Sequence, residues 1–112
     1  MHFDKVGFIG LGLIGGSIAR KMKENNPKVS IIATAGHQQT IEDAFGLGLI
    51  DNNELLELNS FKDCDVIFLC APVNKNIEYL TQLKDIIKDD CIITDVGSTK
   101  TQIHEKVIRA RP

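Results

Sequence analysis

Gly10-Leu11-Gly12-Leu13-Ile14-Gly15 decides how the rest of the chain is read. The six residues form a G-x-G-x-x-G. An apolar run at residues 5–10 (KVGFIG) leads into them, and a helical pattern from Gly15 leads away. That order, strand then loop then helix, gives the pattern its meaning, because the bare motif is common in glycine-rich stretches. Each glycine then has a physical task. Gly10 allows a tight turn, Gly12 lets a pyrophosphate approach the backbone, and Gly15 lets the helix pack closely on the strand. The pyrophosphate would rest on the amides of the loop and first helical turn, Leu11 to Ile14, where the helix dipole is positive. No G-K-[ST] closes the motif, so a P-loop is excluded. A glycine-rich turn with no ligand is the alternative.

Working outward, three more segments resemble the first: residues 29–34 (VSIIAT), 65–71 (DVIFLCA) and 91–96 (CIITDV). All are short and rich in β-branched residues, without strict alternation, as parallel strands covered on both faces are. A fifth, very short strand is expected at residues 49–51. Helical patterns fall between them. Residues 15–24 carry Ile18, Ala19 and Met22 at helical spacing, and Asn25-Asn26-Pro27 stops them. Residues 40–46 present Ile41, Ala44 and Phe45. Residues 74–88 present Ile77, Leu80, Leu83 and Ile87, with Asn74 as the N-cap. A last helix is expected from Lys100 towards Arg109, with Ile103, Val107 and Ile108 inside. Residues 52–62 are the least regular and should be surface. Strands alternating with helices imply a parallel sheet with right-handed crossovers. The expected fold is therefore α/β: one domain over residues 1–112, a Rossmann-type doubly wound parallel sheet in strand order 3-2-1-4-5.

Composition narrows the partners. The 112 residues carry 13 Lys plus Arg against 15 Asp plus Glu, a net charge of −2. So balanced a surface argues against nucleic acid, whose phosphates need neutralising. The apolar stretch at residues 6–19 is too short to span a bilayer, for which about 20 residues are needed. It is also crowded with glycine and lacks a basic leader, so it reads as part of the fold, with no membrane partner. The three cysteines, Cys64, Cys70 and Cys91, are odd in number and have no C-x-x-C spacing. They read as buried thiols in a reducing, cytoplasmic compartment.

The second strand's end bears on the cofactor. A carboxylate about 20 residues after the loop would bond the ribose 2′-hydroxyl of NAD. That count reaches Ala35, and the stretch Ala33-Thr34-Ala35-Gly36-His37-Gln38-Gln39-Thr40 holds no acid. A missing acid removes repulsion against a 2′-phosphate, to which Thr34, His37, Gln38 and Thr40 could donate. No arginine clamps it, so the balance leans to NADP with NAD open. A solvated loop histidine is the plain alternative for His37. The remaining strand ends, Cys70-Ala71-Pro72-Val73 and the segment from Asp95 to Lys100, face the same edge of the sheet. There Ser98 or Thr99 would serve equally as a helix N-cap.

These residues resemble one family. Gly10-Leu11-Gly12-Leu13-Ile14-Gly15-Gly16-Ser17 is similar to the opening motif of prephenate and arogenate dehydrogenases. Gly48-Leu49-Ile50-Asp51, Cys70-Ala71-Pro72-Val73 and Thr94-Asp95-Val96-Gly97-Ser98-Thr99-Lys100 resemble three later motifs, in the same order. The resemblance implies oxidative decarboxylation of prephenate or arogenate in tyrosine biosynthesis, with hydride transfer to NAD(P). It implies a catalytic role for Ser98, and cofactor contacts from the glycine loop, Thr34, Ala35, His37, Cys70, Ala71 and Pro72. The family's catalytic histidine follows in a Gly-His-Pro segment that the 112 residues do not contain; His104 does not fit it. The chain is thus expected to be truncated before a helical second domain, through which the full-length enzyme would form a homodimer. On its own it should bind cofactor and hardly turn over. A related reductase acting on an imine or hydroxy acid is the second reading, and a nucleotide-sensing module without catalysis the third.

Overall fold

The computed structural model describes residues 4–71, 73–95 and 106–109. Four strands lie where the apolar runs predict them: β1 (Lys5–Ile9), β2 (Ser30–Thr34), β3 (Val66–Leu69) and β4 (Ile92–Asp95). They are parallel, in the order β2-β1-β3-β4. Helix α1 (Leu13–Asn25) links β1 to β2, α2 (Gln38–Gly46) follows β2, and α3 (Val73–Leu83) links β3 to β4.

The strands bury both faces. Val6 and Phe8 of β1 join Ile31, Ala33 and Val66 in one cluster, covered by Ala19 of α1 and by Ile41 and Ala44 of α2. Ile9, Ile67, Leu69 and Ile93 point the other way, into a cluster covered by Phe61, Leu83 and Ile87. This is the period of two expected of strands, with an apolar cover on each side. Phe8 and Phe68, partners in the β1–β3 register, stack with ring centroids 5.0 Å apart.

Four expectations need correction. First, no strand forms at residues 49–51, so the order is not 3-2-1-4-5. The chain leaves α2 through Gly48 in the left-handed region (φ 77°) and runs beside β2. There side chains do the pairing. Asp51 Oδ2 accepts the Ile31 N–H (2.7 Å), while its own N–H donates to the Ile31 carbonyl (2.7 Å). Asn52 accepts the Ala33 N–H (2.9 Å) and donates to the Ala33 carbonyl (3.0 Å). Lys23 Nζ fixes the same corner, donating to Asp51 and to the Val29 carbonyl. The β2 edge is thereby closed without a ladder.

Second, Lys106–Arg109 is a strand, β5, antiparallel to β4, and not the end of a helix. Val107 and Ile108 are β-branched, which suits a strand better than a helix, and the outer edge of β4 offers the pairing. Third, α3 begins at Val73, so Asn74 lies inside it and does not cap it, and it ends at Leu83. Its inner face is rotated: Ile77 is 62% exposed while Asn76 is buried. Phe45 of α2 is likewise exposed. Fourth, residues 52–62 are not all surface. A 3₁₀ turn at Leu58–Phe61 inserts the Phe61 ring, fully buried, against Gly7. A Cβ on Gly7 would lie 2.5 Å from that ring.

At the amino ends of the strands one carboxylate gathers three donors. Asp65 Oδ2 accepts the N–H groups of Asp4 (2.8 Å) and Lys5 (3.1 Å), and Oδ1 accepts from the Lys88 ammonium (2.5 Å). The Lys88 bond, then the two amides, hold its carboxyl below the ordinary 3.8. The ionised form is therefore worth more in the folded chain than in the unfolded one. That contribution is complete above the ordinary value and is lost as pH falls through the depressed one. Asp65→Asn is expected to lower the melting temperature near neutral pH by about 4 °C, on the order of 1 kcal/mol. Thermal melts of both proteins in progressively more acid buffer should show the gap closing below pH 3.8. A gap that stays constant would mean the charge contributes nothing.

Candidate functional site

The glycine loop is set by where β1 stops. Gly10 and Leu11 both donate their N–H groups to the Thr34 carbonyl, at 2.9 and 3.0 Å. This pair of hydrogen bonds to the end of β2 turns the chain sharply, and Gly10 adopts φ 82° to follow it. A side chain there would be strained, and its Cβ would also lie 2.9 Å from Ala71. Gly15 sits one helical turn further on. A Cβ on it would reach Leu11 at 3.2 Å, Cys70 Sγ at 3.4 Å and Phe8 at 3.5 Å, so the helix packs directly on the strands.

Gly12 differs from both. Among the described residues a Cβ on it would meet nothing within 4 Å. It is the N-cap of α1, has no side chain to bond the first amides, and is followed by no acid in the first turn. Those amides have no acceptor within the helix. Open space before N–H groups that the helix itself does not pair, at its positive end, fits a diphosphate. The residues present therefore suit a dinucleotide: Gly12 gives it room and the start of α1 gives it donors, with Leu13 and Ile14 in that first turn.

The other predicted positions divide. Thr34 and Ala35 are half-buried at the end of β2, and His37 is exposed as the N-cap of α2, which also has no acid in its first turn. Gln38 does not serve as a free donor. Its Nε2 donates to Glu42 (2.9 Å) and to the Asn53 carbonyl (3.0 Å), and its Oε1 accepts the Leu55 N–H (3.1 Å). It fastens the following loop to α2 instead. Cys70 is half-buried and Ala71 buried at the end of β3, close to Gly15 and Gly10 respectively. Pro72 and Ser98 lie outside the described residues. Burial pushes the thiols of Cys64 and Cys70 up to about 12, and that of Cys91 up to about 11, so none is a nucleophile near neutral pH.

Two features escaped the sequence. One is Asn76, whose side chain ties the β3 end to Asp95 of β4; as one polar residue on a helix it gave no signal. The other is a groove of about 820 Å³ that starts at Gly12 and runs between α1 and α2, past Ser17, Arg20, Thr40 and Asp43. Among the described residues no helix is long and apolar enough to cross a membrane, and no cluster could hold a metal ion.

Comparison with known proteins points one way. A family model for the nucleotide-binding domain of prephenate dehydrogenase matches residues 18–111. A prephenate dehydrogenase of Lactococcus lactis subsp. cremoris is 37% identical over 103 residues, 90% of this chain and 28% of that protein. That of Bacillus subtilis is 35% identical over 101 residues, 89% of this chain and 27% of that protein. Among solved structures, the arogenate dehydrogenase of Synechocystis superposes with a TM-score of 0.73 at 32% identity, covering 87% of this chain and 34% of that one. A prephenate dehydrogenase of A. aeolicus, in complex with hydroxyphenyl propionate and NAD+, gives 0.77 at 27% identity, covering 92% and 36%. The chain spans less than a third of the length of these curated relatives.

The loop glycines predict opposite stabilities. Gly12→Ala should melt within about 0.5 kcal/mol of the parent, since its methyl meets open space. Gly10→Ala should lose about 2 kcal/mol or more, from the positive φ and the clash with Ala71. Urea unfolding of the two variants measures this; equal losses would contradict the assigned roles.

Proposed function

Since the chain belongs to the family of prephenate dehydrogenase nucleotide-binding domains, we propose that it seats NAD(P) for the oxidative decarboxylation of prephenate or arogenate. The observation that carries this is Gly12, which opens onto free space at an uncapped helix start in a family-matched fold. When bound, the dinucleotide supplies a hydride acceptor. The chain's own residues hold and orient it. The amides at the start of α1 take the diphosphate, and the close packing at Gly15 fixes where those amides point. Cys70 and Ala71 border the same crevice at the carboxyl ends of the strands, and Pro72 is assigned to it on the resemblance of Cys70-Ala71-Pro72-Val73 to the family's motif. Ser98 is assigned to the substrate hydroxyl, on the resemblance of Asp95-Val96-Gly97-Ser98 to the family's motif.

The same proposal takes NADP as the preferred form. Ala35 puts no carboxylate at the end of β2, and the first turn of α2 holds no acidic residue, so neither position repels a 2′-phosphate. With Gln38 committed to its loop, His37, Thr34 and Thr40 are left as its donors. Buried, inert thiols favour a cytoplasmic setting, and dimerisation through a further domain belongs to this proposal as well.

Calorimetric titration of the chain with NADP+ and, separately, NAD+ tests the reading. NADP+ should bind more tightly. Gly12→Ala should weaken both by about tenfold or more, since its methyl occupies the diphosphate's space. Ala35→Asp should invert the preference by about tenfold, the effect of one charge beside the 2′-phosphate. Tighter NAD+ binding by the parent would keep the dinucleotide site and overturn the NADP preference. Binding of neither by the folded parent would overturn the site.

A further inference from the structure

Among the described residues two polar side chains are buried, Thr94 and Asn76, and Asn76 is only 1% exposed. An amide at that depth is costly unless its polar atoms are bonded. Its bonds go to two strand ends. Oδ1 accepts the Ala71 N–H (3.2 Å), and Nδ2 donates to the Ala71 carbonyl (2.8 Å) and the Leu69 carbonyl (3.3 Å). Nδ2 also donates to Asp95 Oδ1 (3.1 Å), across from β3 to β4. Leu69 and Asp95 are the last partners of the β3–β4 ladder, and at Ala71 the sheet has stopped: Cys70 makes the final β3 bond, to the Ile9 carbonyl (2.9 Å). Past that bond, Asn76 takes over the role of the ladder.

We infer that Asn76 is a positioning residue for the nicotinamide half of the dinucleotide site, a bracket that sets the β3 and β4 ends at a fixed separation. The inference rests on the cofactor reading above. A dinucleotide fold is built of two mononucleotide halves that meet at the crevice. Here β1 and β2 with the glycine loop form one half, and β3 and β4 form the other. The first half has a tie of its own, Gly10 and Leu11 on the Thr34 carbonyl, and past the β1–β3 ladder it meets the second by packing, Gly10 against Ala71. Buried as it is, Asn76 reaches a ligand only through Ala71 and Asp95. Loosening it shifts the second half and spares the first.

The test compares NADP+ with 2′-phospho-ADP-ribose, the same ligand without its nicotinamide (or NAD+ with ADP-ribose, if the parent prefers NAD+). Calorimetry is run on the parent, Asn76→Ala and Asp95→Ala, at a temperature where circular dichroism shows each folded. Asp95→Ala removes the acceptor at the β4 end and leaves the Ala71 and Leu69 bonds of Asn76 in place, so it carries the test if Asn76→Ala does not fold. The expected result is a dinucleotide Kd about tenfold weaker in the variants, with less than about a twofold change for the nicotinamide-free ligand. Equal weakening of both ligands, or no change in either, overturns the inference and leaves the cofactor reading standing. A folded parent that binds neither ligand overturns that reading, and this inference with it.

Discussion

Beyond the last ladder bond of a parallel sheet, every main-chain N–H and C=O still needs a partner, and burying one without a partner costs about 1–3 kcal/mol. Much of what is particular to this molecule answers that constraint. At the amino ends Asp65 takes the Asp4 and Lys5 amides. On the open side of β2, Asp51 and Asn52 supply the groups a neighbouring strand would have supplied. At the carboxyl ends the Thr34 carbonyl takes two amides from the glycine loop, and Asn76 takes both groups of Ala71. No described buried side-chain polar atom is left without a partner.

These devices are short-range, and that explains what the sequence showed and what it hid. Four strands and α1 were legible because each announces itself by a run of apolar residues or by glycine spacing. Both signals reflect burial along a whole element. Asp51 and Asn52 were not legible as an edge closure. Residues 49–51 carry two apolar side chains and a carboxylate, and the pairing made by that carboxylate looks in sequence like a strand end. Phe61 was hidden for a different reason. Its pocket exists because Gly7, far away in the chain, has no side chain. Nothing local to residues 58–61 states that.

Asn76 and Ile77 show the same limit within one helix. Reading α3 by hydropathy alone sets Ile77 inside and Asn76 outside. The structure reverses them, since an unsatisfied Ala71 would cost more than an exposed isoleucine. A polar demand in the backbone thus outranked an apolar preference in the side chain. The C-terminal strand is a case of ambiguous period. Ile103, Val107 and Ile108 fit a helical face, but Val107 and Ile108 also fit an edge strand, and β4 had an edge to offer.

The candidate site was legible in its glycines and less so in its selectivity. The absent acid at Ala35 could be read directly from sequence, because repulsion depends only on a charge being there or not. Which groups would bind a 2′-phosphate could not, because donors are spent by folding. Gln38 counts as a donor in the sequence, yet its amide is already bonded to Glu42 and to the loop at residues 53–55. That use has a consequence for the cofactor argument. It leaves fewer donors for a phosphate and fixes the Glu42 carboxylate beside the first turn of α2, a charge that opposes the preference Ala35 supports. The proposed NADP preference therefore rests on the missing charge at Ala35, while the Glu42 carboxylate is bonded by the amide of Gln38.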